Sequence, residues 1–502
     1  MSDRTPPRPA PRAWAAAGAA AALTGLAASH LVAAFTGPRA APLSAVADVV
    51  IAASPPPATE WAIQTFGTAD KPILQAGIIV ALAVVGAACG LLWRRNRWAG
   101  LTVIGLFAAV GAASAATREA LGAAAIVPSL IAAAVAAGIM FWWSGPGTEA
   151  GPTGRRRFLV AAAGVAVAAA AGSFLVRRFV PAQVEADRAQ LDLPEPDLPA
   201  PAPGEVDFDQ DGLASWHTGN DEFYRIDTAI TSPQVEVDSW RLRVHGMVGR
   251  TRTYTFDDLL GRELIERDIT LCCVSNPIGG ELIGNARWLG VSLADLLAES
   301  EPDPEADQLV SRSHDGWTAG SPTGAVFDGR DALIAIGMNG SPLPIDHGWP
   351  ARLIIPGLYG YVSATKWLTE LELTRFSDYD PYWIQRGWSG PGPIKTASRI
   401  DTPRSNAAAG TVTVAGVAWA QHRGIAAVHL RVDDGPWTEC ELAEAPSTDT
   451  WRQWRFEWEA EPGDHDLTVR ATDGDGRPQT SDVTDPKPSG ATGLHNVKIS
   501  VA

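Results

Sequence analysis

The first 180 residues contain five long runs of uncharged, mostly apolar residues. They cover residues 13–35, 73–93, 98–116, 120–143 and 158–176. A helix of about 20 residues, rising 1.5 Å per residue, crosses a hydrocarbon layer of ~30 Å. The runs are rich in alanine and glycine, small residues that let helices approach closely in lipid. The sequence therefore predicts a helical membrane region with five spans over residues 1–178.

The placement of arginine predicts the orientation of these spans. Arginine clusters lie at residues 4–12, 94–97 and 155–157, and cytoplasmic loops are enriched in Lys and Arg. A cytoplasmic amino terminus with five spans puts all three clusters inside. Residues after about 178 are then expected on the extracytoplasmic side of the plasma membrane. The cluster at 155–157, followed by Phe158 and Leu159, also matches a twin-arginine export signal; a plain positive-inside anchor is the alternative interpretation.

Charge divides the chain near the same place. Residues 1–180 hold 14 Lys and Arg against 6 Asp and Glu, which leaves 26 (40 − 14) against 50 (56 − 6) for the rest. An acidic soluble part argues against nucleic acid as a partner, because phosphate backbones bind basic faces. His30 is the one histidine within a predicted span. A transmembrane haem needs paired axial ligands, so we expect no haem.

Three segments follow the membrane region. Residues 179–204 are rich in proline, which predicts an extended, fairly stiff linker that holds the soluble part away from the bilayer. Residues 205–403 mix strand-like and helix-like segments without regular alternation, which favours an α+β domain. Residues 404–502 show apolar residues at a period of two between Gly, Pro and Asp turns, which predicts an all-β sandwich.

One cysteine and two basic segments carry the candidate chemistry. Cys273 ends a predicted strand over residues 269–273 and enters a polar Ser-Asn turn, where a thiolate is well placed to bind a soft metal. His347, Arg352 and Lys366 stand among glycines beside a second strand. They offer cations and exposed backbone N–H groups to a bound phosphate. Taken alone, a cysteine such as Cys273 is more often a buried apolar residue than a metal ligand; the basic set downstream favours the metal ligand.

These motifs resemble the sulfite oxidase-type molybdopterin-dependent oxidoreductases. Thr-Leu-x-Cys-x-x-Asn, His-Gly-x-Pro-x-Arg and Lys-Trp-Leu occur in the family's order within residues 207–500. The resemblance implies a sulfite oxidase-like molybdopterin-binding domain followed by an immunoglobulin-like dimerisation domain. It therefore suggests a homodimer, and the predicted spans suggest a membrane-anchored bacterial form of the family.

The resemblance also implies roles for individual residues. Cys273 would supply the thiolate to molybdenum, and Arg225 would attract an anionic substrate. These two form the implied catalytic pair. The residues implied to bind molybdenum–molybdopterin are Asn220, Tyr224, Arg225, Cys273, Ser313, His347, Arg352, Ala364, Thr365 and Lys366.

Two departures from the family bear on the substrate. Pro277 and Ile278 stand where animal sulfite oxidases have paired arginines, and segment 383–389 offers no match to the active-site tyrosine. The implied reaction is oxo transfer on a small oxyanion such as sulfite, or on a sulfoxide, with a separate electron carrier. One alternative is a non-catalytic anchored module for adhesion or assembly with a relic cofactor fold. The other is a transporter with a sensor domain, which the uncharged spans disfavour.

Overall fold

The computed structural model describes residues 10–36, 41–55, 61, 65–66, 70–116, 123–145, 184–229 and 232–502. The chain divides into two compact units, Met1–Val184 and Glu185–Ala502. The predicted fifth span at 158–176 and the arginine cluster at 155–157 lie outside the described residues.

The described part of the first unit is helical. Its helices are α1 (Pro11–Thr36), α2 (Pro42–Ala53), α3 (Asp70–Arg95), α4 (Arg97–Ala116) and α5 (Val127–Trp143), with a 3₁₀ turn at Ala123–Ile126. Three stretches are long and apolar enough to cross a membrane: Pro11–Ala33, Ile73–Arg95 and Arg97–Ala115. They confirm the first three predicted runs as candidate spans.

The prediction of five spans is not confirmed among the described residues. The fourth run, predicted over 120–143, forms an α-helix of only 17 residues starting at Val127. Pro128 occupies its first turn, where a missing N–H costs nothing and proline is favoured. The connection between the first two spans also differs from a plain loop, because it contains α2.

Small residues bring α1 and α3 into backbone contact. A Cβ added at Gly90 would lie 2.0 Å from the carbonyl oxygen of Trp14, and one at Gly18 would lie 2.1 Å from that of Gly86. Only glycine permits such an approach. The alanine- and glycine-rich composition therefore acts as predicted at this helix pair.

The second unit begins with an α+β domain. Its strands are β1 (Leu242–Gly246), β2 (Arg252–Tyr254), β3 (Leu264–Cys272), β4 (Ile283–Ser292), β5 (Gln308–Ser313), β6 (Thr318–Pro322), β7 (Leu333–Met338), β8 (Ser341–Pro342), β9 (Arg352–Ile354) and β10 (Leu368–Thr374). Its short helices are Phe256–Leu260, Leu293–Ala298, Gly324–Phe327 and Gly360–Ser363, with 3₁₀ turns at Val237–Ser239, Ile345–His347 and Ile384–Arg386. Ser292 caps the helix Leu293–Ala298, because its Oγ accepts from the N–H of Asp295 (3.2 Å).

Two sheets build this domain. One has the order β2-β1-β10-β5-β6, with β1 and β10 parallel. The other has the order β3-β4-β7-β8, with β9 also paired to β7. Every residue of β7 is buried, as its continuous apolar sequence indicates. The strand β3, which leads into Cys273, lies at the edge of its sheet.

The carboxyl-terminal part consists of two sheets. Their orders are β11-β13-β17-β16 and β12-β19-β18-β14-β15. The strands are β11 (Ala397–Thr402), β12 (Asn406–Ala407), β13 (Gly410–Trp419), β14 (Ile425–Val432), β15 (Thr438–Glu439), β16 (Glu441–Leu442), β17 (Arg452–Ala460), β18 (Gly463–Asp473) and β19 (His495–Val501). Strand β11 pairs with β13, although it precedes the boundary predicted at residue 404. The all-β prediction is confirmed, and buried residues from both sheets form one core.

The prediction of an extended linker is wrong for residues 184–190, which are helical. The proline-rich remainder, residues 191–204, contains no helix, but it is not a free spacer. Leu198 pairs in parallel with Ile265 of β3. Its N–H donates to the carbonyl of Leu264 (3.1 Å), and its carbonyl accepts from Glu266 (2.9 Å). Asp197 accepts a further bond from Leu264 (2.8 Å). The segment therefore lies along the exposed edge of β3, contrary to the predicted role of a spacer.

Candidate functional site

A cavity with about 900 Å³ of non-protein space, part of it open to solvent, lies at the end of β3. Its walls come from the loop at 223–228, the turn at 273–275, the β5–β6 turn and the segments at 347–367 and 383–388. Seven of the ten residues implied by the family resemblance line it: Tyr224, Cys273, Ser313, His347, Arg352, Ala364 and Lys366.

Cys273 lies at the first position after β3. Its N–H donates to the carbonyl of Leu282 (2.9 Å), and its carbonyl accepts from Asn276 (3.0 Å), so a tight turn fixes its backbone. Neighbouring side chains of an extended strand point to opposite faces. Accordingly Cys272 packs in the hydrophobic core, whereas Cys273 lines the cavity. Burial raises the pKa of the Cys273 thiol, and the bonds from Ser275 oppose that rise.

Arg352 is a buried cation with little to neutralise it. Only 4% of the residue is exposed, and it stacks on Trp288 at 5.0 Å. Its guanidinium donates to the carbonyls of His347 (3.0 Å) and Ala364 (3.4 Å). Its Nε has no hydrogen-bond partner in the described part of the chain. Burial lowers its pKa to about 10. A buried, unpaired charge is costly, so this position suits an anionic ligand.

His347 presents an acceptor to the same cavity. Its Nε2 lies 2.8 Å from the carbonyl of Asn220, so Nε2 carries the proton and donates. Burial and the neighbouring Arg352 lower its pKa to about 4, and the ring is therefore neutral at pH 7. Its buried Nδ1 has no partner among the residues described. That atom can accept a hydrogen bond from a ligand N–H.

Carboxylates neutralise the other cations at the cavity. Asp227 bonds both Lys366 (3.2 Å) and Arg225 (3.1 Å). Arg225 also donates to Asp346 (2.8 Å) and to Ser232 (3.0 Å). Burial lowers the pKa of Lys366 to about 8. Lys366 lines the cavity, whereas Arg225, with 44% of its side chain exposed, does not.

Aromatic side chains form much of the remaining wall. Trp388 lies 6.0 Å from Tyr361 and 6.2 Å from Trp383, measured between ring centroids. Tyr361 donates its hydroxyl proton to the carbonyl of Ser389. Trp317 and Trp367 also line the cavity. Sequence reasoning missed these rings as binding residues; the two tryptophans in segment 383–389 were the available signal.

Three predicted residues stand behind the cavity wall or at its rim. Asn220 acts through its carbonyl, which holds His347. Thr365 is fully buried, and its hydroxyl bonds that of Ser311 (2.7 Å). Arg225 lies at the rim with its carboxylate partners. The structure thus brings together the thiol and the downstream basic set, but it does not place every implied contact in the cavity.

The residues present fit a molybdenum–molybdopterin cofactor. A cavity-lining thiol offers a soft metal ligand. Arg352 and His347 line the same cavity, and each has a buried atom without a partner in the described part of the chain: a donor at Nε and an acceptor at Nδ1. Buried polar atoms without partners are uncommon in folded proteins and need an explanation. A bound group with a phosphate and ring N–H atoms would explain both atoms, because the phosphate accepts from Arg352 and a ring N–H donates to His347.

Comparisons with known proteins agree with this chemistry. Residues 229–383 match the family described as "Oxidoreductase molybdopterin binding domain". The sulfite oxidase of Gallus gallus is 31% identical over 268 residues, which are 44% of this chain and 58% of that protein. The uncharacterized oxidoreductase YuiH of Bacillus subtilis is 28% identical over 172 residues, 34% of this chain and 78% of that protein. Among solved structures, the sulfane dehydrogenase SoxCD from Paracoccus pantotrophus matches with 21% identity and a TM-score of 0.49, covering 57% of this chain and 83% of that chain.

Residues 229–383 therefore match a molybdopterin-binding oxidoreductase domain, which implies a molybdenum–molybdopterin cofactor. The chain is similar to sulfite oxidases over about half of its length. The chain spans about half the length of the sulfite oxidases that it matches.

Proposed function

We propose that this protein is a membrane-anchored molybdenum oxidoreductase that transfers an oxo group to or from a small substrate. The observation that carries the proposal is that Cys273, Arg352 and His347 line one cavity, and that Arg352 and His347 each have a buried polar atom without a partner among the described residues. When bound, molybdenum–molybdopterin would supply two-electron oxo-transfer chemistry.

The residues of the chain would bind and orient that cofactor. Cys273 would hold the metal as a thiolate, and metal binding would displace its proton, because a coordinating thiol is deprotonated. Arg352 and Lys366 would hold the phosphate, and His347 would accept a hydrogen bond from the pterin. The aromatic wall would exclude water from the reacting centre and shape the substrate pocket.

The charges at the rim favour an uncharged substrate over sulfite. In sulfite oxidases, by the resemblance, the residue matched by Arg225 attracts the anion. Here Arg225 already bonds Asp227 and Asp346, so its charge is largely neutralised. Pro277 and Ile278 add no cation. A sulfoxide has no net charge to compensate, and its apolar substituents suit tryptophan and tyrosine rings.

The proposal also covers the location of the enzyme, its electron carrier and its oligomeric state. The arginine clusters support an extracytoplasmic catalytic unit at the plasma membrane. A separate electron carrier is needed, because we expect no haem in this chain. The homodimer and the immunoglobulin-like character of the sandwich remain predictions from the family resemblance.

Metal analysis tests the proposal directly. Full-length protein purified from a molybdate-replete host should contain about one molybdenum per chain. Cys273→Ser should lose it, whereas Cys440→Ser, which changes another buried cysteine outside the cavity, should keep it. A well-folded, metal-free wild type would contradict the proposal. Sulfite oxidation and sulfoxide reduction, measured with artificial electron carriers, would then identify the substrate.

A further inference from the structure

The carboxyl-terminal sandwich contacts the strand that carries the candidate thiolate. Thr270 lies in β3, three positions before Cys273. Its N–H donates to the carbonyl of Asp449 (2.9 Å), and its hydroxyl accepts from the N–H of Trp451 (2.7 Å). Its carbonyl accepts from Nε2 of Gln421 (3.2 Å). All three partners belong to loops next to β13 and β17 of the sandwich.

The loop after Cys273 is held from the same side. The carbonyl of Gly280 accepts from Nη1 of Arg399 in β11 (2.9 Å), and Asp401 pairs with that guanidinium. The ring of His495 covers Gly279 so closely that a Cβ there would lie 2.3 Å from it. The turn that presents Cys273 is therefore attached to the sandwich on both sides.

We call the contact of Thr270 with Gln421, Asp449 and Trp451 the seam. It excludes water. Gln421 is fully buried, Thr270 is 1% exposed and Trp451 is 2% exposed. The hydroxyl of Thr270 also donates to Oδ1 of Asn285 in β4 (2.9 Å), so one side chain joins the sheet to the sandwich. Hydrogen bonds in such dry surroundings are strong, and a missing partner is costly.

We propose that the sandwich positions the metal ligand, with Thr270 as the positioning residue at the seam. The sandwich then forms a structural part of the active site, whatever its role in dimerisation. This inference rests on the proposed function in one respect, namely that Cys273 binds molybdenum. Thr270 itself lies outside the cavity lining, so it acts through the strand.

The test compares substitutions at Thr270 in the full-length, molybdenum-loaded protein. Thr270→Val keeps the shape but leaves the N–H of Trp451 and Oδ1 of Asn285 unpaired; Thr270→Ser keeps the hydroxyl. Thr468→Val is the matched control, because this sandwich threonine bonds Asn496 (2.9 Å) on the neighbouring strand and none of the seam residues. The readouts are the sulfur-to-molybdenum absorption band, the Mo(V) resonance and the rate of molybdenum release to a chelator.

We expect Thr270→Val, which loses two buried hydrogen bonds, to release molybdenum about tenfold faster and to shift the absorption band. Thr270→Ser and Thr468→Val should behave as wild type. Identical spectra and release rates for Thr270→Val and wild type would overturn the inference and leave the proposed function standing. Equal effects of Thr270→Val and Thr468→Val would also overturn it, because they would show only a general loss of stability.

Two further outcomes are a Thr270→Val variant that does not fold and a wild-type protein that binds no molybdenum. If Thr270→Val does not fold, Gln421→Leu removes the bond to the carbonyl of Thr270 and is judged by the same criteria. If wild-type protein binds no molybdenum, the proposed function fails, and the inference fails with it.

Discussion

Replacing Arg352 by methionine should separate folding from cofactor binding. Burial lowers the pKa of Arg352 from 12.5 to about 10, and a difference of that size corresponds to about 3 kcal/mol. The substitution removes this cost from the cofactor-free protein. It also removes two hydrogen bonds from a charged donor, to His347 and Ala364, at about 1.5 kcal/mol each. The two effects nearly cancel, so the free energy of unfolding should change by no more than about 1 kcal/mol.

Arg399 provides a matched contrast. It is also buried, but it has its own carboxylate partner in Asp401. Arg399→Met leaves that carboxylate unpaired, which should cost about 3–5 kcal/mol. The melting temperatures of the two cofactor-free variants should therefore differ by roughly 5–10 °C. Tryptophan fluorescence of the detergent-solubilised full chain, expressed without molybdate, would measure both transitions.

In the loaded protein the expected result for Arg352→Met is different. Loss of charge-assisted bonds to the phosphate should weaken cofactor retention by about 10–100-fold, measured as molybdenum remaining after dialysis. If cofactor-free Arg352→Met unfolded as readily as Arg399→Met, and loaded Arg352→Met retained its cofactor as well as wild type, Arg352 would have a structural role only. The unsatisfied Nε of Arg352 would then have no part in cofactor binding.

Three further predictions concern Lys366, Asp227 and Thr255. Burial lowers the pKa of Lys366 to about 8, so its charge is lost as the pH rises through that value. Cofactor uptake by cofactor-free protein, measured as molybdenum per chain, should therefore fall around that pH. Lys366→Arg should abolish the fall. Asp227→Asn frees Lys366 and Arg225 from their shared carboxylate, so the ratio of kcat/KM for sulfite to that for a neutral sulfoxide should rise at least about tenfold; an unchanged ratio would contradict the assigned role of the rim charges. Thr255→Ala breaks a capping box with Asp258 and should lower stability by about 1 kcal/mol without changing the molybdenum content, which chemical denaturation and metal analysis would check.

The family motif, rather than the strand pattern, selected Cys273 as the candidate ligand. The alternation of side chains explains why Cys273 lines the cavity and Cys272 packs in the core. The pairing of Arg225 was missed. Asp346 lies 121 residues away, and only the tertiary fold brings these two side chains together.

The proline-rich segment shows the same limit. Its composition predicts an extended backbone, which agrees with residues 191–204 but not with residues 184–190, which are helical. Composition carries no information about what lies beside an extended chain, however, and the pairing of Leu198 with Ile265 depends on β3 being at a sheet edge. The start of α5 also differs from the start of the apolar run at residue 120. The helix begins at Val127, with Pro128 in its first turn, where proline is favoured.

The covered edge of β3 determines how a soluble version of the catalytic unit should be cut. A fragment starting at residue 205 would remove Leu198 and leave backbone N–H and C=O groups of β3 unpaired. Such an open strand is a template for aggregation between copies. A fragment starting at Glu185 keeps the natural cover in place, so the shorter version should precipitate where the longer one stays monodisperse.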